Sequence, residues 1–453
     1  MSYIPHTDAD REAMLRVIGV ESVEELFRDL PEQVRLKREL NIPCEMDEAA
    51  MLRHMRNLSK LNVTAEDYLS FLGAGIYDHF IPSVVDAIIS RGEFATSYTP
   101  YQPELSQGML QAIYEYQSLI CRLTGMELSN ASMYDAATAL AEAALMSVEI
   151  TGRKLVLVSE TVHPNYRKVM ETYLSSSGYT MHTLPQDDGA TRTEALLNFP
   201  RDEIACVVIQ NPNFFGALEE PEELMNAAHS AGALGVMCVD PISLGLLKPP
   251  GEYGADIVVG EGQGLGCPMG FGGPLLGFFA CRLKFQRRFP GRIVGATTDT
   301  QGRRGYTMTL RTREQDIRRE RATSNICTNE ALLALAATVY LCEMGPKGLR
   351  NVAELCVKKA NYAANRLNGL NGMKRTFSRP FFKEFALQLP AGIDVSAVNW
   401  QLLRRDIIGG YELEASYPEM KRCTLLCVTE TRSRADIDRL VDSLREIIGD
   451  DHE

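Results

Sequence analysis

A chain of 453 residues exceeds one minimal domain, so a large domain with one or two smaller ones is expected. Its residues are 45% apolar and 23% charged, a globular balance that excludes a disordered chain. A formal net charge of −12 excludes a general nucleic-acid or anionic-membrane binder, since both need a basic face, although a local basic patch remains at 303–321.

The 11 cysteines contain no CxxC pair. Cys423 and Cys427 lie in "CTLLCVTE", a buried-strand pattern, so reduced structural thiols are expected. The start, "MSYIPHTDADREAML", is polar and acidic and does not read as a signal peptide. No apolar run approaches the ~20 residues of a membrane span. A cytoplasmic protein is the expectation.

In chain order, residues 1–65 read as a helical arm. In "ESVEELFRDLP", Ser22 and Glu25 have capping-box spacing and Pro31 is a stop. "SQGMLQAIYEYQSLICRLTG" is an amphipathic helix ended by Gly125. From 126 to 290, strands and helices alternate. "KLVLVSE", "IACVVIQN", "GVMCVD", "ADIVVGEG" and "LGFFACRL" are the strands. This alternation predicts a mostly parallel sheet covered on both faces. Residues 291–330 read as arginine-rich and irregular, 328–345 as an apolar helix, and a long helix follows from about 347. The tail gives "KEFALQLP" and "CTLLCVTE" as strands and two helices, the last capped by Ser433 and Asp436. The expected division is a large α/β domain over 66–345 and a small α+β domain over 346–453.

This pattern suggests several families, among them the aspartate-aminotransferase-like (fold type I) pyridoxal-phosphate enzymes. Their cofactor needs a helix N-terminus for its phosphate, a carboxylate for its ring nitrogen and a lysine for its aldehyde. "SNASMYDAATA", with Ser132 and Asp135, is a candidate for the first, and Asp240, ending "GVMCVD", for the second. Taken singly, each reads first as a plain helix cap or strand end. The third need fails: no lysine stands near 258–268. Lys248 comes before the strand and Lys284 after the next, and both read as surface charges.

At "FLGAGIYDHFIP", "TSYTPYQPELSQG", "NASMYDAATALAEA", "GEGQGLGCPMGFGGP" and "LRTREQDIRRERATSNICTNEALLAL", the chain resembles the first (α) chains of two-chain glycine dehydrogenases (decarboxylating), the P-proteins of the glycine cleavage system. The resemblance runs over nearly the whole length. It implies that Gln263 stands where the lysine-bearing chain has its Schiff-base lysine. It further implies that pyridoxal phosphate is covalently held by a second, lysine-bearing subunit, in a heterotetramer of two of each chain. Glycine would be decarboxylated there, CO2 released and the aminomethyl group passed to the lipoyl arm of the H-protein. The active site would lie between the chains. This chain would then offer a wall: Tyr98, Thr99, Tyr101, Gln102 and Glu104 on a proline-stiffened loop, and Arg318, Arg319, Thr323, Ser324 and Asn325 beyond Arg311 and Arg313. The same residues also fit a packed tyrosine turn and a solvated, ion-paired helix. His79 and His163 read as structural hydrogen bonders. Two alternatives stay open: a scaffold subunit without active-site contact, and a self-sufficient enzyme using another lysine.

Overall fold

In the computed structural model, residues 4–449 are described. They fall into two compact units, 1–63 and 64–453.

The first unit holds two capped helices, α1 (Asp8–Ile18) and α2 (Glu48–Ser59). Thr7 and Asp10 form a capping box on α1, and Asp47 caps α2 by accepting from the Ala50 N–H. None of the described residues of this unit is buried. The capping box expected at Ser22 and Glu25 does not form. Residues Glu24–Phe27 make a 3-10 turn with Val23 at its N-cap, and Glu25 instead accepts from the Glu21 N–H. The run is too short to sustain an α-helix against nucleation cost.

The second unit is built on a seven-stranded sheet. Its strands are β1 (Leu128–Ser129), β2 (Leu155–Ser159), β3 (Thr180–Leu184), β4 (Ile204–Asn211), β5 (Leu234–Val239), β6 (Ile257–Glu261) and β7 (Gly277–Cys281). The spatial order is β1-β7-β6-β5-β4-β2-β3, with β5 at the centre. Only β7 runs antiparallel, against both β6 and β1. Period-two alternation sends Leu155, Leu157, Val207 and Ile209 into one core and Val156, Val158, Cys206 and Val208 into the other. The helices covering these faces are α3 (Gln107–Thr124), α4 (Ala136–Thr151), α5 (Pro164–Ser176) and α6 (Pro221–Ser230). Alanines along α4 let it lie close to the strands. Gly277 removes the side chain that would strike the Asp135 backbone at the start of that helix.

Two strands of the large sheet escape the sequence reading. β3 is an edge strand whose "TMHTL" is largely exposed, and β1 has only two residues. The stretch expected to be irregular contains an antiparallel hairpin, β8 (Ile293–Thr298) with β9 (Arg304–Thr309). Its polar, half-exposed strands lack the apolar run of a buried strand.

A long helix, α7 (Ala331–Leu367), breaks at Gly345, whose φ of 57° precedes Pro346. The tail forms a four-stranded antiparallel sheet of β10 (Lys374–Arg375), β11 (Glu384–Gln388), β12 (Tyr411–Glu412) and β13 (Cys423–Cys427). Helices α8 (Val395–Leu403) and α9 (Arg434–Gly449) pack on it, and Ser433 and Asp436 exchange the capping bonds expected of them. All 11 cysteines are free, and no described helix is long and apolar enough to cross a membrane.

Candidate functional site

Asp240 directly follows β5, at the carboxyl edge of the central strand. Its Oδ1 accepts from the Ile242 N–H at 3.0 Å. Its Oδ2 is 2.7 Å from the Nζ of Lys383, a lysine that sequence reasoning passed over. Lys383 precedes β11 in the C-terminal sheet, and its side chain is only 2% exposed. The same Nζ lies 2.9 Å from His79 Nε2 and 3.4 Å from the centre of the Tyr77 ring. An ammonium only donates, so His79 Nε2 accepts. Nδ1 of that ring then carries the proton and donates to Glu430 at 2.6 Å. Burial opposes the charge of Lys383, but its surroundings, Asp240 foremost, raise its pKa on balance. Burial likewise opposes Glu430, yet the His79 bond, supported by the Phe80 N–H, holds its carboxyl down at about 2. His79, Cys356 and Glu430 lie close enough to suggest metal ligands, but both nitrogens of His79 are already engaged.

Gln263 is buried and its amide is fully used. Its Oε1 accepts from the Tyr77 N–H at 2.9 Å, and its Nε2 donates to the Tyr77 and Cys267 carbonyls at 3.1 and 2.8 Å. The glycine loop around it is tight over 262–266, where Gly266 takes φ +90° and a Cβ on Gly264 would press on His79. Gly270, Gly272 and Gly273 meet nothing nearby, so close approach explains only the first half of the loop.

The N-terminus of α4 is also taken. Asp135 caps it by accepting from the Thr138 N–H at 2.8 Å, and Glu261 accepts from the Ala136 N–H at 3.1 Å. Glu261 further accepts from the Leu276 and Gln263 N–H groups, and burial still pushes its carboxyl up to about 7. Ser132 faces elsewhere: its Oγ accepts from the Glu330 N–H, just ahead of α7. His163 has both nitrogens occupied, donating from Nε2 to the Ala74 carbonyl and accepting from the Asn165 N–H, and burial lowers its pKa to about 4. Lys248 and Lys284 are exposed, over Tyr253 and against Asp256 respectively.

Glu384 accepts from the Ala74 N–H and the Tyr77 hydroxyl, and burial pushes its carboxyl up to about 7. A carboxyl raised in the folded state binds its proton more tightly there than in the unfolded chain. Its contribution is therefore whole below the unfolded pKa of 4.5 and is lost as pH rises towards 7. Glu384→Gln should accordingly gain stability relative to the parent chain between pH 5 and pH 8, by roughly 1–3 kcal/mol. Urea unfolding at the two pH values checks this, and an unchanged difference counts against it.

Of the two loop segments expected to form a wall, the first is fastened to Glu314 by Arg292, which sequence reasoning did not single out. Its buried guanidinium donates to Thr99 Oγ1 at 2.8 Å and to the Tyr101 hydroxyl at 2.7 Å, and pairs with Glu314 at 3.4 Å. It also lies 5.1 Å from the centre of the Tyr101 ring. Tyr98 reaches across to the Thr328 hydroxyl at 3.1 Å. Gln102 and Glu104 are exposed beside the short turn Pro103–Leu105. Arg318 and Arg319 are exposed and Asn325 with them, while Ser324 turns inward to Glu142 and the Thr323 N–H bonds the Arg313 carbonyl. Arg318 and Thr323 line a surface cavity of about 490 Å³ with Arg287, Arg288, Arg313 and Arg321.

A family model described as the glycine cleavage system P-protein matches residues 1–444. The chain belongs to the glycine cleavage system P-protein family. It is 54% identical over 447 residues to a probable glycine dehydrogenase (decarboxylating) subunit 1 of Desulfitobacterium hafniense, covering 99% of this chain and all of that one. The corresponding protein of Moorella thermoacetica is 52% identical over 448 residues, with the same coverage. A crystal structure of a glycine decarboxylase (P-protein) of the glycine cleavage system, in inhibitor-bound form, aligns with a TM-score of 0.90 at 46% identity over 99% of this chain and 100% of that one. A glutamate decarboxylase of Lactobacillus brevis aligns at 0.69 with 13% identity over 94% and 97%, a likeness of fold alone. The P-protein chain thus has the fold type I architecture of pyridoxal-phosphate enzymes. Its residues do not fit that cofactor. Asp240, expected to face the ring nitrogen, is ion-paired to Lys383, Gln263, expected at the lysine position, is a satisfied amide, and N–H groups at the start of α4 are taken by Asp135 and Glu261.

Proposed function

We propose that this chain is the subunit of a two-chain glycine decarboxylase that does not carry the cofactor. The lysine-bound pyridoxal phosphate belongs to the second subunit, where glycine loses CO2 and the aminomethyl group passes to the lipoyl arm of the H-protein. Two of each chain form the enzyme, in the cytoplasm. The reading rests on full-length similarity to subunit 1 proteins, together with an Asp240 already neutralised by Lys383.

The contribution of this chain is a positioned surface. Tyr98, Thr99 and Tyr101 present hydroxyl groups from a loop fastened by Arg292, and Arg318 and Arg319 present exposed guanidinium groups. Fixed donors of this kind suit the carboxylate of glycine or a phosphate on the partner. The first 63 residues support a partner as well. Their helices are capped yet bury no side chain of their own, and Val17, Val34, Ile42 and Leu61 are exposed.

The test is reconstitution. The purified chain alone should show neither glycine-dependent CO2 exchange nor a borohydride-fixable absorbance band with pyridoxal phosphate. Mixed with a purified lysine-bearing subunit and H-protein, it should support the exchange. A correctly assembled pair without activity overturns the reading, and so does a fixable band in the lone chain.

A further inference from the structure

The positions that a cofactor would use are joined here into one internal network. Gln263 grips the Tyr77 backbone from both sides, and the Tyr77 ring faces the Lys383 ammonium at 3.4 Å. That ammonium bonds Asp240 and His79, and His79 bonds Glu430. None of these side-chain polar atoms is left buried without a partner. A carboxylate at the end of the central strand, against a buried cation that an aromatic ring faces, is the electrostatic setting of a protonated pyridine. Here a side chain supplies that cation. The network also spans two sheets: Asp240 leaves the large one, while Lys383 and Glu430 flank strands of the C-terminal one.

We propose that Lys383 keeps this chain cofactor-free: its ammonium stands in for the cofactor's ring nitrogen on Asp240 and ties the two sheets together without any ligand. This rests on the functional reading above, but it concerns this chain's own residues. Losing the Schiff-base lysine alone would leave a pocket able to hold the cofactor noncovalently, with Asp240 free for the ring. Lys383 removes that option, because a second cation on Asp240 would meet its charge at contact distance. Asp135 and Glu261 reinforce the exclusion by occupying N–H groups at the start of α4 that a phosphate would need.

The test uses the full-length chain alone. Lys383→Ala should lower the melting temperature by roughly 5–10 °C, since it leaves Asp240 with an unpaired buried charge. Ethylammonium or pyridoxine at millimolar concentration should restore part of that loss, and ethanol should not. Equilibrium dialysis should show pyridoxine on Lys383→Ala and none on the parent chain. If the alanine variant does not fold, Lys383→Met with Asp240→Asn keeps the volume and removes both charges. That pair should fold, melt within a few degrees of the parent, and ignore ethylammonium. The proposal is overturned if the parent binds pyridoxine as well as the variant does, if ethanol rescues as well as ethylammonium, or if neither variant shows these responses. None of these readouts involves the partner or turnover. A chain that passes them yet fails reconstitution would sink the functional reading and leave this one standing.

Discussion

Asp240→Ala is expected to cost the chain about 3–5 kcal/mol at pH 7, because it strands the Lys383 ammonium in a nearly closed site. The loss is larger than that of an exposed ion pair, which contributes about 0–1 kcal/mol. Lys383 would keep only the His79 acceptor and the Tyr77 ring face, and the Ile242 N–H would lose its acceptor too. A stranded lysine can relieve its cost by giving up its proton, so its folded pKa in the variant drops below the unfolded value. The unfolded chain then binds more protons than the folded one, and stability rises with pH. The deficit of Asp240→Ala against the parent should therefore shrink between pH 7 and pH 9. Urea denaturation of both proteins at the two pH values measures it. A deficit below 1 kcal/mol, or one that grows with pH, means the pair is not what holds the site.

Arg292→Ala is expected to reduce turnover of the assembled two-chain enzyme at least tenfold, equivalent to about 1.4 kcal/mol of lost transition-state stabilisation. The side chain is 6% exposed and makes two short bonds, to Thr99 and Tyr101, besides its ion pair with Glu314. Truncation would free the Tyr98–Tyr101 loop and leave Glu314 without its cation. Glu314 already has one buried oxygen without a partner. The chain itself should lose roughly 1–3 kcal/mol. Arg292→Lys retains charge but not the forked geometry, so it should fall between the two. A positioning role predicts that the loss appears in kcat more than in the KM for glycine. If assembled Arg292→Ala enzyme keeps more than half its turnover, the tyrosine loop is not part of the active-site wall.

Much of the large sheet was legible because buried strands and their helices carry local signatures. Runs such as "IACVVIQN" and "GVMCVD" are apolar throughout, as strands covered on both faces must be. The edge strand β3 and the hairpin of β8 and β9 were not legible, since strands with one wet side lack that run. In the candidate site, Asp240 and Asp135 could be placed because each sits at the boundary of a readable element, whereas Gln263 was placed by the family resemblance. Glu261 closes the strand "IVVGE", and no local pattern ties it to a helix N-terminus formed from residue 136 onward.

The sequence by itself determined the alternating strands and helices of an α/β domain and the absence of a lysine over 258–268, while the place of Gln263 is what the family resemblance implies. The first two follow from hydrophobic period and from which functional groups a stretch contains. Only the tertiary structure decided what became of the empty place. Lys383 and His79 are 304 residues apart in the chain, and nothing in the neighbourhood of either points to the other. Periodicity says which face of an element is buried. It does not say which charges meet across two sheets, because that depends on how the chain returns. A lysine before a short strand reads as solvated surface until folding puts a carboxylate 2.7 Å away.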